Sequence, residues 1–563
     1  MTINDDMPQP VTRNPNNMNR EKLIGLYAQS FQDNWNLPAF SDYQGSTTTY
    51  GEAAQIIRQI HCYFRESGIR QGDKIAILGR NSSNWAIAFL AVSGYGAVSV
   101  PVLPDFNPDD IHHILNHSGS MFLFVAEGLY EKLDAAKIPD VKGMVSLTNF
   151  SALAFTHPEE RERWKTCFTI EHAGESKPEN IQLQEFEADE LCVLSYTSGT
   201  SGYSKGVMIP ACSLLSNIVY AQDHMPLKAG DRIVSFLPMA HVFGLLFEFL
   251  FPVSVGCHVS FLTKPPTPQL IVKAFQEVKP HLILSVPLVI EKIYRKRILP
   301  KLEKPALKFL LKVPGIQLLL YKKVRASLVE TFGGNFHEIV IGGAPLNHEV
   351  ETFFRKIKFP FTIGYGMTEC GPLISYEPAT SFRPTSAGKL VDRMEVRIDS
   401  KDPYTEVGEI LVKGTNNMLG YYKNEKATAE AIDAEGWLHT GDLGIIDQDN
   451  FIYIRGRCKN MLLGPSGQNI YPEEMEAKLC NYPYVLECVI TEREGKFVAF
   501  VYPDQELIEA EKTDESRLKE IMTENCKQVN KELPKYSQLS SISLVDKEFE
   551  KTPKRNIKRY LYT

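Results

Sequence analysis

Short apolar runs alternate with longer amphipathic stretches through the first part of the chain. Between Tyr50 and Gly68, Ile56, Ile57, Ile60 and Phe64 recur at helical spacing, and Lys74-Ile-Ala-Ile-Leu78 behind them reads as a strand. Trp85–Ser93 followed by Ser99-Val-Pro-Val-Leu103, and Asp109–Leu115 followed by Met121–Val125, repeat that helix-then-strand rhythm. The alternation predicts an α/β protein with a largely parallel sheet. From about 150 to 190 the chain is charged and is expected to be irregular. Helix and strand signals resume at Gln269–Val278 and Ile283–Val286. Towards the end, a helix is expected to start within 469–476, with Leu486–Thr491 and Phe497–Tyr502 as strands. Ser516–Leu533 then reads as a helix and Ser541–Val545 as a strand, enough for a small α+β domain. The best boundary lies near Gly456–Asn460, dividing the chain into 1–455 and 456–563.

A length of 563 residues exceeds what one core normally supports, so more than one domain is expected. A net charge of -7 argues against a dedicated nucleic-acid binder. The ten cysteines include no CxxC pair, so neither a disulfide framework nor a zinc site is expected. His112, His113 and His117 cluster without a metal-type partner. No apolar run reaches membrane-spanning length and no signal peptide is visible, which predicts a cytoplasmic protein. One local exception to the acidic balance is 291–329, where eleven Lys and Arg face only Glu291 and Glu303 among interleaved leucines. That region reads either as a peripheral contact for the inner face of an anionic membrane or as a solvated face packed through its leucines.

Candidate chemistry concentrates in Ser195-Tyr-Thr-Ser-Gly-Thr-Ser-Gly-Tyr-Ser-Lys-Gly-Val207, set between two apolar runs. Its glycines allow sharp bends, its hydroxyls offer donors, and Lys205 adds a mobile charge. The composition suits a polyphosphate, with a polar surface turn as the alternative. Gly206 after Lys205 excludes a Walker A loop, which needs Ser or Thr there. His241 follows a strand at its carboxyl end, where open α/β sheets place ligands. Glycine-rich turns after Ile339-Val-Ile341 and Phe361-Thr-Ile363 could let a flat ring approach the backbone. Thr368 and Glu369 supply a hydroxyl and a hard oxygen. Asp442 could cap a turn or take two ribose hydroxyls. Phe243, Phe247 and Phe249 could line an apolar channel or belong to the core.

The blocks at 196–206, 238–244, 364–369, 437–442 and 455–475, in that order, resemble the AMP-forming acyl-CoA synthetases, a fold shared with adenylation domains and luciferase. The resemblance covers essentially 45–563. It implies a large multi-layer N-terminal domain with mixed sheets and a small mobile α+β C-terminal domain. It implies ATP, Mg²⁺ and coenzyme A as cofactors. By this resemblance Thr197, Ser198, Gly199, Thr200, Ser201, Gly202 and Lys205 serve the phosphates. Gly343 and Ala344 border the adenine, Tyr365 and Gly366 lie beside it, and Thr368 contacts phosphate. Glu369 holds Mg²⁺, Asp442 and Arg457 take the ribose, His241 lines the acyl path, and Lys459 is the hinge.

Gly456-Arg-Cys-Lys-Asn-Met-Leu-Leu-Gly-Pro-Ser-Gly-Gln-Asn-Ile-Tyr-Pro472 is similar to the long-chain fatty acid-CoA ligases. The resemblance therefore implies ligation of a medium- or long-chain fatty acid to coenzyme A through acyl-AMP. Two alternatives stay open: an acyl-AMP ligase serving a carrier protein, and a degenerate lipid-binding protein. The chain departs from the family near its end, where Asn556 takes the place of the expected catalytic lysine. Lys554 and Lys558 flank that position by two residues each, and Lys554 is the preferred substitute.

Overall fold

A computed structural model of the chain describes residues 22–169, 177–178, 183–197, 204–302, 310, 313, 315–463, 469–493, 495–551 and 557–562. The expected strands Lys74–Leu78, Ser99–Leu103 and Met121–Val125, and the two apolar runs around the glycine-rich loop, enter an eight-stranded sheet. Its spatial order is Gly420–Tyr421, Lys205–Pro210, Leu191–Thr197, Val98–Val102, Lys74–Leu78, Phe122–Val125, Gly143–Ser146, Ala152–Phe155. The five central strands, from Leu191–Thr197 to Gly143–Ser146, run parallel. Each of the three outer strands pairs antiparallel with its inner neighbour, so the sheet is mixed.

Helix Ser83–Gly94 is apolar on nearly all sides and is buried accordingly. Trp85 stacks on Phe89 at 5.7 Å, and Phe89 meets Phe249 at 5.9 Å. Phe249 also touches Phe40 and Phe261, which places it in the core. The opposite face of the sheet carries a second core, which includes Val100, Ile114 and Leu123.

A second sheet joins Arg232–Ser235, His258–Phe261, Pro38–Asp42 and Thr47–Thr49. A third aligns three parallel strands, Leu282–Ser285, Glu338–Ile341 and Phe361–Ile363, with Ser285, Ile341 and Ile363 in register at their ends. These two sheets meet where the His281 N–H donates to the Arg232 carbonyl at 2.9 Å.

One segment differs from expectation. The charged stretch after 150 contains strand Ala152–Phe155 and helix Pro158–Thr169. Pro158 with Glu159 and Glu160 behind it is a helix-start signal. Trp164, Cys167 and Phe168 then recur at helical spacing and pack inward.

The C-terminal part has its own core, built from residues between Ile470 and Leu539. Strands Val485–Arg493, Lys496–Pro503 and Leu539–Leu544 form a sheet backed by helices Pro472–Leu479 and Glu515–Glu532. It touches the rest of the chain through Arg295, whose guanidinium donates to the carbonyls of Cys480 at 2.7 Å and Val485 at 3.4 Å. Among the described residues, no helix is long and apolar enough to cross a membrane.

Candidate functional site

The glycine- and hydroxyl-rich loop closes a hairpin. Strands Leu191–Thr197 and Lys205–Pro210 pair antiparallel, with Thr197 opposite Lys205 at its mouth. Ser198, Gly199, Thr200, Ser201 and Gly202 lie outside the described residues. Lys205 Nζ rests 4.8 Å from the centre of the Tyr421 ring, a cation–π contact. The Tyr421 hydroxyl in turn donates to Glu369 Oε1 at 2.9 Å. Strand Gly420–Tyr421 pairs with Lys205–Pro210, so the backbone fixes this chain of contacts. Glu369 is held further by its carbonyl, which accepts the Met418 N–H at 2.8 Å. Tyr421 was not among the expected site residues, although an aromatic pair directly after Gly420 was visible.

Thr368 is buried and Glu369 half-buried in the short turn Thr368–Cys370. Before it, Gly366 admits no other residue: a Cβ there would lie 2.1 Å from the Pro372 carbonyl oxygen. The Glu369 carboxylate is a hard oxygen donor of the class that Mg²⁺ takes. With Thr368 preceding it, this turn fits the cation on donor chemistry.

Asp442 lies inside strand Leu438–Ile446 rather than in a turn, opposite Arg457 of strand Ile452–Arg457. Arg457 Nε meets Asp442 Oδ1 at 2.9 Å, and the Tyr365 hydroxyl donates to Oδ2 at 2.7 Å. Burial pushes the Asp442 carboxyl above its ordinary range, while Arg457 and Tyr365 oppose that shift. Glu369 and Glu473 add to the rise. Glu473, on helix Pro472–Leu479, accepts from Asn460 Nδ2 at 2.6 Å, and its buried Oε2 has no hydrogen-bond partner among the described residues. Tyr365 is buried, and its hydroxyl, unused in the sequence reading, is the group that meets Asp442. Lys459 is exposed in the turn Cys458–Asn460 between Arg457 and this helix.

The three in-register parallel strands end together, at Val286, at Gly342-Gly343-Ala344 and at Gly364-Tyr365. Gly343 and Ala344 are exposed there, and Gly343 adopts φ +86°, a conformation open to glycine. Phe243, half-buried, approaches this edge: a Cβ at Gly342 would lie 3.0 Å from its Cζ. Phe247 is buried behind Phe243 at 5.9 Å.

His241 follows strand Arg232–Ser235, and its Nδ1 accepts the Phe243 N–H at 3.3 Å. The turn between strand and histidine is held by two buried side chains that sequence reasoning missed. Glu248 Oε2 accepts from Ser235 Oγ at 3.0 Å and from the N–H groups of Phe236 at 3.0 Å and Leu237 at 2.9 Å. Asn81 donates to Ser235 Oγ at 2.9 Å and to the Leu237 carbonyl at 2.7 Å, and accepts from the Met239 N–H at 3.0 Å. Glu248 is fully buried, and burial pushes its carboxyl well above the ordinary range. A lone glutamate within Phe243–Phe251 was the available signal.

Lys554 and Asn556 lie outside the described residues. Around them, Lys551 bridges to Ile557, Lys558 Nζ lies 3.6 Å from Glu550, and Arg559 is paired with Glu476.

Comparison with known proteins agrees with this architecture. The AMP-binding enzyme family matches residues 27–422, and the AMP-binding enzyme C-terminal domain matches 460–562. The chain is 29% identical over 503 residues to the long-chain-fatty-acid–CoA ligase FadD15 of Mycobacterium bovis, covering 83% of this chain and 79% of that one. It is 27% identical over 540 residues to 4-coumarate–CoA ligase 1 of Oryza sativa subsp. japonica, covering 92% and 87%. Among solved structures, the anthranilate CoA ligase AuaEII in complex with anthranoyl-AMP superposes with a TM-score of 0.77 at 18% identity, covering 96% of each chain. The Bacillus subtilis O-succinylbenzoate coenzyme A synthetase MenE, in complex with ATP and magnesium ion, gives 0.72 at 22%, covering 95% of this chain and 98% of that one. With a family match across most of its length, this chain belongs to the AMP-binding enzymes, the adenylate-forming acyl-CoA synthetase superfamily, which ligate a carboxylic acid through an acyl-AMP intermediate using ATP and Mg²⁺.

Proposed function

We propose that this enzyme joins a medium- or long-chain fatty acid to coenzyme A. The observation that carries the reading is the arrangement of two chains of polar and cation–π contacts, Lys205–Tyr421–Glu369 and Tyr365–Asp442–Arg457, on glycine-opened strand ends. Several relatives named as long-chain fatty acid-CoA ligases support the acid class. Phe243 supplies an apolar surface near the opened edge.

Two displacements are required. A carboxylate oxygen attacks the α-phosphorus of ATP, and the bond to the β-phosphate oxygen breaks to release pyrophosphate. The coenzyme A thiolate then attacks the acyl carbonyl, and AMP leaves with the electron pair of the broken C–O bond. The acid is already ionised near neutral pH, so adenylation needs no general base. Charge gathers around phosphorus, so the chain's contribution is electrostatic. Lys205 would serve the β/γ end, and Thr197, Ser198, Thr200 and Ser201 would offer hydroxyls to the phosphates. Gly343, Ala344, Tyr365 and Gly366 frame the adenine, and Asp442 and Arg457 take the ribose. Mg²⁺, held by Glu369 beside Thr368, would neutralise phosphate charge. His241 lines the acyl path, and Lys554 supplies the charge that Asn556 lacks.

The unit 456–563 would turn about Lys459 relative to 1–455 between the two steps. Helix Ile316–Thr331 exposes Leu318 and Leu319 one turn before Lys322 and Lys323, a pattern that fits peripheral contact with an anionic membrane at the cytoplasmic face.

The deciding experiment is coenzyme A-dependent AMP release across aromatic acids and fatty acids of increasing length. Fatty acids should dominate. Stable acyl-AMP with transfer only to a phosphopantetheinylated carrier would replace the acceptor in this proposal. Turnover confined to aromatic acids would overturn the acid class.

A further inference from the structure

Cysteines that look scattered along the sequence meet in space. Cys62 lies on the last turn of helix Tyr50–Glu66 and Cys167 on helix Pro158–Thr169, 105 positions away, with their Sγ atoms 2.9 Å apart. Glu66 follows Cys62 by one helical turn, the spacing that puts two side chains on one face. Its Oε1 is 3.8 Å from Cys62 Sγ and its Oε2 is 3.9 Å from Cys167 Sγ, so the carboxylate straddles both sulfurs. All three donor atoms lie within 4.8 Å of one another. Among the described residues this is the one trio of His, Cys, Asp or Glu side chains to converge so closely. Cys167 is buried, Cys62 half-buried and Glu66 exposed, so the cluster opens to solvent on one side.

The two helices are locked in place around it. Tyr63 meets Trp164 edge-on at 5.0 Å, and Glu160 accepts from Tyr63 at 3.1 Å and from Ser67 at 2.7 Å. Arg163, whose charge acts on Cys167, is itself paired with Glu160.

We propose that Cys62, Glu66 and Cys167 form a binding site for a thiophilic divalent cation of the zinc class, clamping the two helices together. Two sulfurs and a carboxylate are ligands that Zn²⁺ accepts, and thiolates select it over Mg²⁺. Zn–S bonds of about 2.3 Å in a tetrahedron place the sulfurs about 3.8 Å apart. They must separate by roughly 1 Å from their present contact, a modest side-chain rotation. Both thiol protons go to solvent on binding, and water takes the fourth position on the open side. A disulfide would also satisfy two close sulfurs, but it would leave the straddling carboxylate without a part.

The test uses the full chain, reduced with a phosphine and stripped by a chelator, then titrated with Co²⁺ and afterwards with Zn²⁺. One equivalent of Co²⁺ should give tetrahedral visible bands and a near-ultraviolet thiolate charge-transfer band. Cys62→Ser and Cys167→Ser should each remove most of the charge-transfer intensity. Glu66→Gln, at an exposed position that leaves the core intact, should keep the thiolate band and weaken Zn²⁺ about tenfold or more, as loss of one ligand implies. Zn²⁺ should raise the Tm of the wild type and leave that of Cys62→Ser unchanged. Cys480 and Cys488, whose sulfurs lie 3.6 Å apart, serve as control, since their double serine variant should retain the bands. Absence of a thiolate band, or a band that survives Cys62→Ser or vanishes with the Cys480 and Cys488 pair, overturns the assignment. A two-dalton mass loss on peroxide treatment, abolished by Cys62→Ser, together with no cobalt band in reduced protein, overturns it in favour of a disulfide.

Discussion

Tyr365→Phe isolates one interaction in the candidate nucleotide site. The ring stays in its packed position, and only the hydroxyl that donates to Asp442 Oδ2 at 2.7 Å is removed. Asp442 is almost completely buried, so water cannot readily replace that donor. A hydrogen bond to a charged group contributes roughly 1.5–3 kcal/mol, and a neutral one about 1 kcal/mol. The cost should therefore depend on whether Asp442 is ionised.

The sign follows from the direction of the shift. Burial raises the Asp442 carboxyl above its ordinary value, so the folded state holds a proton more tightly than the unfolded chain. Its contribution to stability is present below the unfolded value, falls as pH rises through the folded value, and is level beyond it. Tyr365 opposes the shift, so Tyr365→Phe raises the folded value further and extends the falling limb to higher pH. Urea unfolding of both proteins at an acid and a higher pH should show the smaller loss, about 1 kcal/mol, in acid and the larger, about 2–3 kcal/mol, at the higher pH, as the carboxyl passes from protonated to ionised. A loss that is equal at both pH values, or greater in acid, would refute the reasoning.

Three other variants test the remaining parts of the site. Glu369→Gln should lower ATP–pyrophosphate exchange by about 100-fold or more and raise the Mg²⁺ needed for half-maximal rate, since a neutral amide is a poorer ligand for a hard cation; an unchanged Mg²⁺ dependence counts against the metal role. Lys554→Ala should suppress that exchange while sparing thioester formation from supplied acyl-AMP. Lys558→Ala should do less, because Lys558 already lies near Glu550; equal effects would remove the assignment of Lys554. At Glu248, whose carboxyl burial holds well above its ordinary range, Gln keeps an acceptor for Ser235, Phe236 and Leu237 and should cost under about 1 kcal/mol in urea unfolding. Glu248→Ala removes that acceptor, leaves three buried donors unsatisfied, and should cost about 3 kcal/mol or more and slow acyl transfer by displacing His241.

Periodicity made the architecture legible because burial acts locally on it. Tyr50–Glu66 and Ser83–Gly94 announce themselves by spacing and by continuous apolarity, and each strand of the C-terminal sheet falls within two residues or so of its apolar run. The helix Pro158–Thr169 was hidden because its solvent face is dense in Glu, Arg and Lys, while only Trp164, Cys167 and Phe168 mark the buried side. Its proline and two glutamates still carried the start signal. Sheet direction was less accessible. Whether Lys205–Pro210 runs parallel or antiparallel to Leu191–Thr197 depends on how the intervening loop closes, which hydropathy does not encode.

The same distinction separates the parts of the site. Lys205, Glu369, Asp442 and Arg457 stand in motifs whose residue types state their chemistry one position at a time. The partners that set the geometry are contacts between distant segments: Tyr421 reaches Glu369 across 52 positions, Tyr365 reaches Asp442 across 77, and, in the turn before His241, Asn81 reaches Leu237 across 156. No local pattern specifies which tyrosine of 24 meets which carboxylate. Glu248 is the instructive case, because its type was conspicuous within Phe243–Phe251 and only its partners were missing. A carboxylate in such a run must find donors or lose its charge. In this chain the available donors are the N–H groups leading to His241, so a residue that looks like a fault in the core is what fixes the path of the turn.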